Sequence, residues 1–520
     1  MGSDLSAQVA RADFFAAHGY TPIDLRWYAG VDQLGYSLLS QPVMALLGVR
    51  VTGVLALIAA SVLLAVLFRR TAAPRPWLGA LVGTVCVAGN LVSGRVTYGL
   101  GVAWGLAALT LLAVPRWRWL AVVPALAAGA TSPVAGLFLG LAGAALLLAG
   151  RATSGLLIAV PAAVPLALTA LLFGDGGWMN ISQTDTLRAV IASLVVAVLV
   201  PHRAVRAGAL LSALGVLGAA LVHTPVGLNA TRLAVMFTLP VLAAYAAPPR
   251  WRRPAGGVHQ VDGAGSAHPT DSAHQGIAEH SAGGHSTTSP RAPLWTVLLL
   301  VAVACWWQPP VVTGDLRDLG NPTADPAYFG PLLERLGQET LTGRVEIPPT
   351  RDYWEAAHMG DVPLARGWLR QADIARNPLF FGNIPGAQGT GEALTAGTYR
   401  TWLDDVAVQF VAVPDAELSW SGRPEARLVT AGLPYLTEIW RGAHWTLYRV
   451  ADARPIVTAP TTLVAQDDTS VTFRAENAGS VVVRVRYYRW LRADGGATVS
   501  SSGGWALVRV PQPGTYTLFS

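Results

Sequence analysis

The chain has 520 residues, of which 52% are hydrophobic and 13% are charged, and its mean hydropathy is +0.42. Soluble globular proteins carry roughly 25% charged residues, so this composition excludes a chain that is soluble throughout. The formal net charge of +6 does not indicate nucleic-acid binding, because many of the arginines flank apolar segments, where arginines orient membrane helices.

Residues 1–50 are predicted to form an external N-terminal loop segment that precedes the first complete membrane span. Carboxylates can accept a proton from a hydroxyl and aromatic rings can stack on sugars, so a segment rich in both suits a site that handles sugars. The alternative is an amphipathic helix at the membrane surface, with ordinary surface acids and interfacial aromatics. The side chains that suggest a site are Asp4, Asp24, Arg26, Trp27 and Tyr28.

Ten apolar runs predict membrane helices, with residues 51–247 as a transmembrane helical domain and residues 293–308 as the last transmembrane helix. Most runs approach the roughly 20 residues needed to cross the hydrocarbon core. Two short runs meet at Ser132 and Pro133 and predict half-length or tilted helices. The runs are 52–68, 77–93, 96–114, 119–131, 133–149, 155–173, 187–200, 207–223, 230–247 and 293–307.

Arginine-rich loops alternate with arginine-poor loops throughout this domain. Because cytoplasmic loops carry the excess of Lys and Arg, the alternation predicts that residues 1–50 and 309–520 lie outside the cytoplasm. An external N-terminus with no preceding apolar segment is unusual, so we also expect a further helix upstream of residue 1. The basic loops contain Arg69, Arg70, Arg75, Arg116, Arg118, Arg151, Arg203, Arg206, Arg250, Arg252 and Arg253.

Residues 248–292 are rich in Gly, Ser, Thr and His and are predicted to be a disordered cytoplasmic linker. Spaced histidines can also bind metal, but neither cysteines nor a carboxylate cluster complete a site here. Disorder is therefore the favoured interpretation.

The C-terminal part predicts an α/β region at 309–454 and a β-sandwich-like region at 455–520. Helices are expected at 326–340 and 396–405, and strands at 406–414, 445–450, 470–475, 481–489, 505–510 and 515–519. Two stretches dense in charge and aromatics could line a groove for an acceptor glycan, or could be surface turns. They run from Arg351 to Glu355 and from Arg366 to Trp368.

The N-terminal stretch ADFFAAHGYTPIDLRWYAGVDQLGYSLLSQPVMALLG resembles the first external loop of GT-C type glycosyltransferases. Two C-terminal stretches, WLDDVAVQFV and AHWTLYR, resemble strands of the same group of bacterial membrane proteins. The resemblance implies an α-helical polytopic membrane protein of GT-C-like fold, with a C-terminal extracytoplasmic α/β plus β-sandwich domain. It also implies transfer of a sugar from a polyprenyl-phosphate donor to a cell-envelope glycan or lipid acceptor, at the bacterial plasma membrane.

The resemblance assigns the catalytic base to an aspartate just after the first helix of the family, which corresponds to Asp4, with Asp24 as the second candidate. Arg26, Trp27 and Tyr28 would then contact substrate. Arg95 and Arg232, at the outer ends of predicted spans, could bind the donor phosphate, since arginine pairs well with phosphate. The alternative for both arginines is snorkelling to the membrane interface among the lipids. A divalent cation could assist, although no set of metal ligands is visible.

Two other functions remain open at this point. Ten helices would also suit a transporter or an exporter of lipid-linked glycans, but no ionisable residue lies at the middle of a span, as coupled transport usually requires. A catalytically inactive scaffold with the GT-C fold, whose external region binds a partner or polymer, is the other alternative.

Overall fold

The structure is a computed structural model in which the residues described are 2–174, 177–247, 292–310, 313–388 and 391–520. The predicted linker 248–292 lies outside the described residues except for Ala292. The described chain forms an N-terminal segment, a bundle of helices and a C-terminal part that contains three further sheets.

The N-terminal segment, expected to be a loop, is folded. It contains helix α1 (Leu5–His18), an antiparallel hairpin of β1 (Ile23–Asp24) and β2 (Val31–Asp32), and helix α2 (Ser40–Leu47). Helix α1 ends at Gly19, whose φ of 61° lies in the left-handed region that favours glycine. The segment therefore presents its side chains from fixed positions.

Every one of the ten apolar runs forms a helix, with two 3-10 helices between them at Pro115–Ala121 and Gly227–Thr231. The predicted break at Ser132 is present, because Pro133 begins a new helix and the Ser132 hydroxyl accepts a hydrogen bond from the Ala135 amide. The helices are α3 (Val49–Arg70), α4 (Pro76–Val92), α5 (Val96–Leu112), α6 (Val122–Thr131), α7 (Pro133–Leu148), α8 (Ala152–Leu172), α9 (Gln183–Leu199), α10 (Arg203–Leu221), α11 (Arg232–Tyr245) and α12 (Leu294–Trp307).

Four helical stretches in the described residues are long and apolar enough to cross a membrane: Val49–Arg70, Ala152–Leu172, Arg203–Leu221 and Gly227–Tyr245. Helices α4, α5, α7 and α12 are apolar but shorter. Many leucines and valines on these helices point outward and are exposed, as expected where the surroundings are lipid rather than water.

Seven helices close into a ring, in which each helix contacts the next in the order α3, α4, α11, α9, α10, α7, α5 and back to α3. Helices α6 and α8 pack outside this ring against α5 and α7, and α12 packs against α11. The ring brings residues near 95 and near 232 to the same end of the bundle.

The α/β region has one four-stranded sheet with the order β3-β4-β6-β5. Strand β3 runs parallel to β4, and the other pairs are antiparallel. The predicted helix at 396–405 and the strand at 445–450 occur as expected, whereas the helix expected at 326–340 is shorter. The elements are α13 (Thr313–Arg317), α14 (Gly330–Leu336), β3 (Arg344–Glu346), α15 (Glu355–His358), α16 (Arg370–Arg376), α17 (Ala396–Asp405), β4 (Val408–Pro414), α18 (Gly422–Thr430), β5 (Leu436–Arg441) and β6 (Trp445–Val450).

The last part of the chain contains two sheets, ordered β10-β13-β8-β7 and β11-β12-β9, which share one apolar core. Ile23 and Leu25 of the N-terminal hairpin belong to that core. The strands are β7 (Thr462–Gln466), β8 (Ser470–Ala475), β9 (Gly479–Arg486), β10 (Arg492–Ala493), β11 (Thr498–Ser502), β12 (Trp505–Val510) and β13 (Gly514–Phe519).

The N-terminal segment lies between the bundle and the C-terminal part. The Leu25 amide donates to the Asp468 carbonyl at 2.8 Å, and the Leu364 amide donates to the Arg26 carbonyl at 2.8 Å. On the bundle side, the Ser37 hydroxyl donates to the Thr131 carbonyl at 2.7 Å. The arginine-poor loops of the bundle therefore face the N-terminal segment, while Arg75 bonds to carbonyls at the opposite end.

Candidate functional site

Asp4 sits at the start of α1, directly against the loop between α4 and α5. Its amide donates to the Ser93 carbonyl at 3.1 Å. Gly2 and Gly94 both have positive φ, 83° and 72°, and no side chain would fit at either position. A Cβ on Gly94 would lie 2.5 Å from the Leu5 nitrogen, and one on Gly2 would lie 2.3 Å from the Ser93 carbonyl carbon. Two glycines thus allow the close approach that positions Asp4.

Asp4 lies between two arginines that come from different helices of the ring. Arg95 immediately precedes α5, and its Nε is 3.0 Å from Asp4 Oδ2. Arg232 is the first residue of α11, and its Nη2 is 3.7 Å from the same oxygen. The side chains are 13% exposed for Asp4, 25% for Arg95 and 21% for Arg232. The cluster is accessible and carries one more positive than negative charge.

A polar network fixes the first turn of α1 against the bundle. Thr97 Oγ1 donates to Gln8 Oε1 at 2.6 Å and contacts Ser40 Oγ at 2.8 Å. Gln8 Nε2 in turn donates to the Tyr36 hydroxyl at 2.8 Å. Gln8 lies one turn after Asp4 on the same face of the helix, so this network holds the aspartate in register with Arg95.

The C-terminal part covers the cluster from the other side. Trp368 Nε1 donates to the Ser3 carbonyl at 2.8 Å, and Ser93 Oγ donates to Asp315 Oδ2 at 2.5 Å. Arg370, at the start of α16, lies close enough to Asp4 to interact with it electrostatically. Arg370 therefore adds a weaker, longer-range positive charge from a distant part of the sequence.

Asp24, the second predicted base, is fully buried and occupied. Oδ1 accepts hydrogen bonds from the Arg26 amide and Nε at 2.9 and 3.0 Å. Oδ2 accepts from Arg26 Nη2 at 2.7 Å and from Gln33 Nε2 at 2.6 Å. With four donors on two oxygens and no access to solvent, Asp24 has a structural role in this arrangement rather than the catalytic role that the sequence suggests.

The predicted substrate-binding residues Arg26, Trp27 and Tyr28 are also buried. Trp27 packs against Gly367 so closely that a Cβ on that glycine would lie 2.5 Å from the indole ring. The Tyr28 hydroxyl donates to the Gly367 carbonyl at 2.6 Å. Their aromatic faces join the N-terminal segment to the α/β region, which leaves no room for a sugar to stack on them.

The sequence indicates Asp4, Arg95 and Arg232 as site residues but does not indicate Gln8 or Arg370. Gln8 follows Asp4 by about one helical turn. Predicting a helix that starts at residue 5 would therefore have placed both side chains on the same face. Nothing in the sequence around Arg370 connects it with residue 4, because the contact depends on the docking of the C-terminal part.

A divalent cation does not fit beside Asp4. Two guanidinium groups already flank this carboxylate, and they would repel a second cation. Over the described ranges, no three His, Cys, Asp or Glu side chains come together as metal ligands.

Comparison with known proteins identifies no relative: the chain matches no protein-family model, no curated protein and no solved structure.

Proposed function

We propose that this protein is a multi-pass glycosyltransferase of the bacterial plasma membrane, similar to the GT-C type. It would transfer a sugar from a polyprenyl-phosphate donor to an extracytoplasmic glycan or lipid acceptor. The observation that carries this proposal is the approach of Arg95 and Arg232 to Asp4, because the three residues that the sequence suggests for one reaction come within hydrogen-bonding or ion-pairing distance.

The arrangement suits a phosphate-linked donor for electrostatic reasons. Each guanidinium carries several N–H donors, and only one nitrogen of Arg95 and one of Arg232 are directed at Asp4. The remaining donors and the net positive charge favour an incoming phosphate. Arg370 adds positive charge to the same region.

Asp4 would act as the general base. Both of its ion pairs use Oδ2, and no described residue hydrogen-bonds to Oδ1. The acceptor hydroxyl would transfer its proton to Asp4 while its oxygen forms a bond to the anomeric carbon. The bond from that carbon to the phosphate oxygen breaks, and the departing polyprenyl phosphate keeps the electron pair. Arg95 and Arg232 would stabilise the charge that develops on this phosphate.

The position of the cluster supports an extracytoplasmic reaction. It lies at the arginine-poor end of the bundle, together with the whole C-terminal part, whereas Arg75 and the other basic loops lie at the opposite end. Since basic loops remain in the cytoplasm, the cluster would face outward.

The test measures sugar release from radiolabelled polyprenyl-phosphate donors by the purified full-length protein. Asp4→Asn should lower transfer by about 10²–10⁴-fold, the usual contribution of a general base. Asp13→Asn is the matched control, because Asp13 is an exposed aspartate on the same helix, and it should leave transfer unchanged.

Normal transfer by a folded Asp4→Asn variant would contradict the assignment of the base. If the folded wild-type protein consumed none of the donors, the enzyme proposal would fail in favour of a scaffold or an exporter.

A further inference from the structure

The ring of helices encloses a cavity of about 570 Å³. This volume falls within the range of roughly 300–1,000 Å³ that is typical of ligand sites. Its walls come from α3, α5, α7, α9, α10 and α11 and consist mainly of leucine, valine, alanine and phenylalanine side chains. Along α5 the lining extends from Tyr98 to Ala113, a distance of about 22 Å at 1.5 Å per residue.

The two ends of this cavity differ in charge. One end is lined by Arg70, Arg151 and His202, all three of which are exposed. Within the described part of the chain, neither arginine forms an ion pair. The other end is lined by the buried ring of Tyr98, so the long apolar chamber has basic side chains at one end of its lining and apolar and aromatic side chains at the other.

We propose that the cavity binds a membrane lipid with an anionic headgroup. The headgroup would lie between Arg70 and Arg151, where guanidinium groups can pair with a phosphate. The acyl chain would extend toward Tyr98 along the aliphatic wall, where it replaces contacts that an empty apolar chamber lacks. This site is separate from the proposed glycosyltransferase site and does not depend on it.

The Asp4 cluster does not form part of this cavity. Arg232 lies over the Tyr98 ring, with its guanidinium carbon 5.2 Å from the ring centre, but Asp4, Arg95 and Arg232 do not line the cavity. A lipid bound as proposed therefore has its headgroup at the end opposite to the donor phosphate.

The first test fills the chamber. A Cβ on Gly105 would meet no atom within 4 Å, and Gly105 lines the cavity, so Gly105→Phe should occupy it without displacing a neighbour. Gly140→Phe is the matched control, because Gly140 of α7 is equally open but does not line the cavity. Both changes replace a helix-interior glycine and should be compatible with folding.

The measurement is native mass spectrometry of the full-length protein titrated with phosphatidylglycerol. Gly105→Phe should lower the occupancy of the tightest lipid site at least tenfold, and Gly140→Phe should leave it unchanged. Equal occupancy in the wild-type protein and in Gly105→Phe would overturn the proposal.

The second test addresses the headgroup. Arg70→Gln combined with Arg151→Gln should weaken phosphatidylglycerol binding at least tenfold and remove its preference over phosphatidylcholine. The double variant Arg116→Gln and Arg118→Gln is the control, because these exposed arginines lie outside the cavity and should leave binding unchanged.

The same titration distinguishes the two ends. If Arg95→Gln with Arg232→Gln abolished lipid binding while the Arg70 and Arg151 variant retained it, the headgroup would lie at the Asp4 end and the proposal would be wrong. Donor turnover is not part of this readout, so the result is independent of the glycosyltransferase assay.

Discussion

Two charged clusters in this molecule have opposite compositions. At the end of the bundle one carboxylate, Asp4, lies between Arg95 and Arg232, and all three side chains are partly exposed. In the α/β region one arginine lies between two carboxylates, and all three are enclosed. The first cluster carries an excess positive charge that a ligand can reach, whereas the second is closed to solvent and to ligands.

The enclosed cluster consists of Glu346, Arg366 and Glu425, with side chains at most 1% exposed. Arg366 Nε donates to Glu346 Oε1 at 2.8 Å and Nη2 donates to Glu425 Oε2. Burial raises the pKa of both glutamates. Burial alone would lower the pKa of Arg366, but the two neighbouring carboxylates raise that pKa well above its ordinary value. The Tyr399 hydroxyl donates to Glu425 at 2.9 Å.

The difference between the two clusters explains why a high density of charged residues in the sequence does not by itself identify a binding site. From the sequence, the stretch around Arg366 suggests either a glycan groove or a surface turn, and the structure has neither there. A buried cluster whose charged groups pair with one another joins elements of the fold, whereas an accessible cluster with uncompensated charge can bind a ligand.

Arg366→Leu tests the enclosed cluster and should have the largest effect. Removing the cation leaves two buried carboxyl groups without their partner, which should lower the free energy of unfolding by about 3–5 kcal/mol. Denaturant unfolding of the purified full-length protein measures this change in the free energy of unfolding. Arg427→Leu, at an exposed position on α18, is the control and should change stability by less than about 0.5 kcal/mol. Equal stability of Arg366→Leu and Arg427→Leu would contradict a stabilising role for the buried cluster.

Glu355 is another buried carboxyl of the α/β region, and it should make the stability of the protein depend on pH. Burial raises the pKa of this carboxyl from 4.5 to about 7. The folded state therefore binds the proton more tightly than the unfolded state, so stability is highest below pH 4.5 and falls as the pH rises toward 7. The shift corresponds to roughly 3 kcal/mol.

Glu355→Gln should remove this part of the pH dependence in unfolding experiments between pH 4.5 and 7.5. Glu334→Gln, at an exposed position on α14, should keep the wild-type profile. A Glu355→Gln variant whose stability still declines as steeply as that of the wild-type protein would show that another group titrates in this range.

Arg95→Gln tests the accessible cluster and should have the smallest effect on stability, below about 1 kcal/mol, because the ion pair is partly exposed. A charge-assisted hydrogen bond to the donor phosphate contributes about 1.5–3 kcal/mol, so KM for the donor should rise about 10- to 100-fold. Steady-state kinetics with the donor measures this change in KM. Arg50→Gln, at an exposed position near the start of α3, should not alter KM, and an unchanged KM in Arg95→Gln would count against phosphate binding there.

The sequence alone determined the apolar helices and the more regular strands of the C-terminal part. Long apolar runs specified ten helices, and the break at Pro133 followed from the geometry of proline. Strands such as Trp445–Val450 and Trp505–Val510 were predictable because apolar residues in β-strands recur with a period of two. The strands that the sequence did not predict are brief, exposed or irregular, and they are β1, β2, β3, β5, β7, β10 and β11.

The resemblance ranks Asp4 ahead of Asp24, but only the tertiary structure shows how differently the two aspartates are placed. Both are aspartates in a polar segment near aromatic residues, and local sequence treats them alike. Asp24 is buried within the hairpin, where Arg26 and Gln33 donate to its oxygens, whereas Asp4 meets Arg95 from 91 positions further along the chain. Burial and charge pairing depend on which residues, distant in sequence, are close together in the folded protein. The local hydrophobic pattern of the sequence does not specify those contacts.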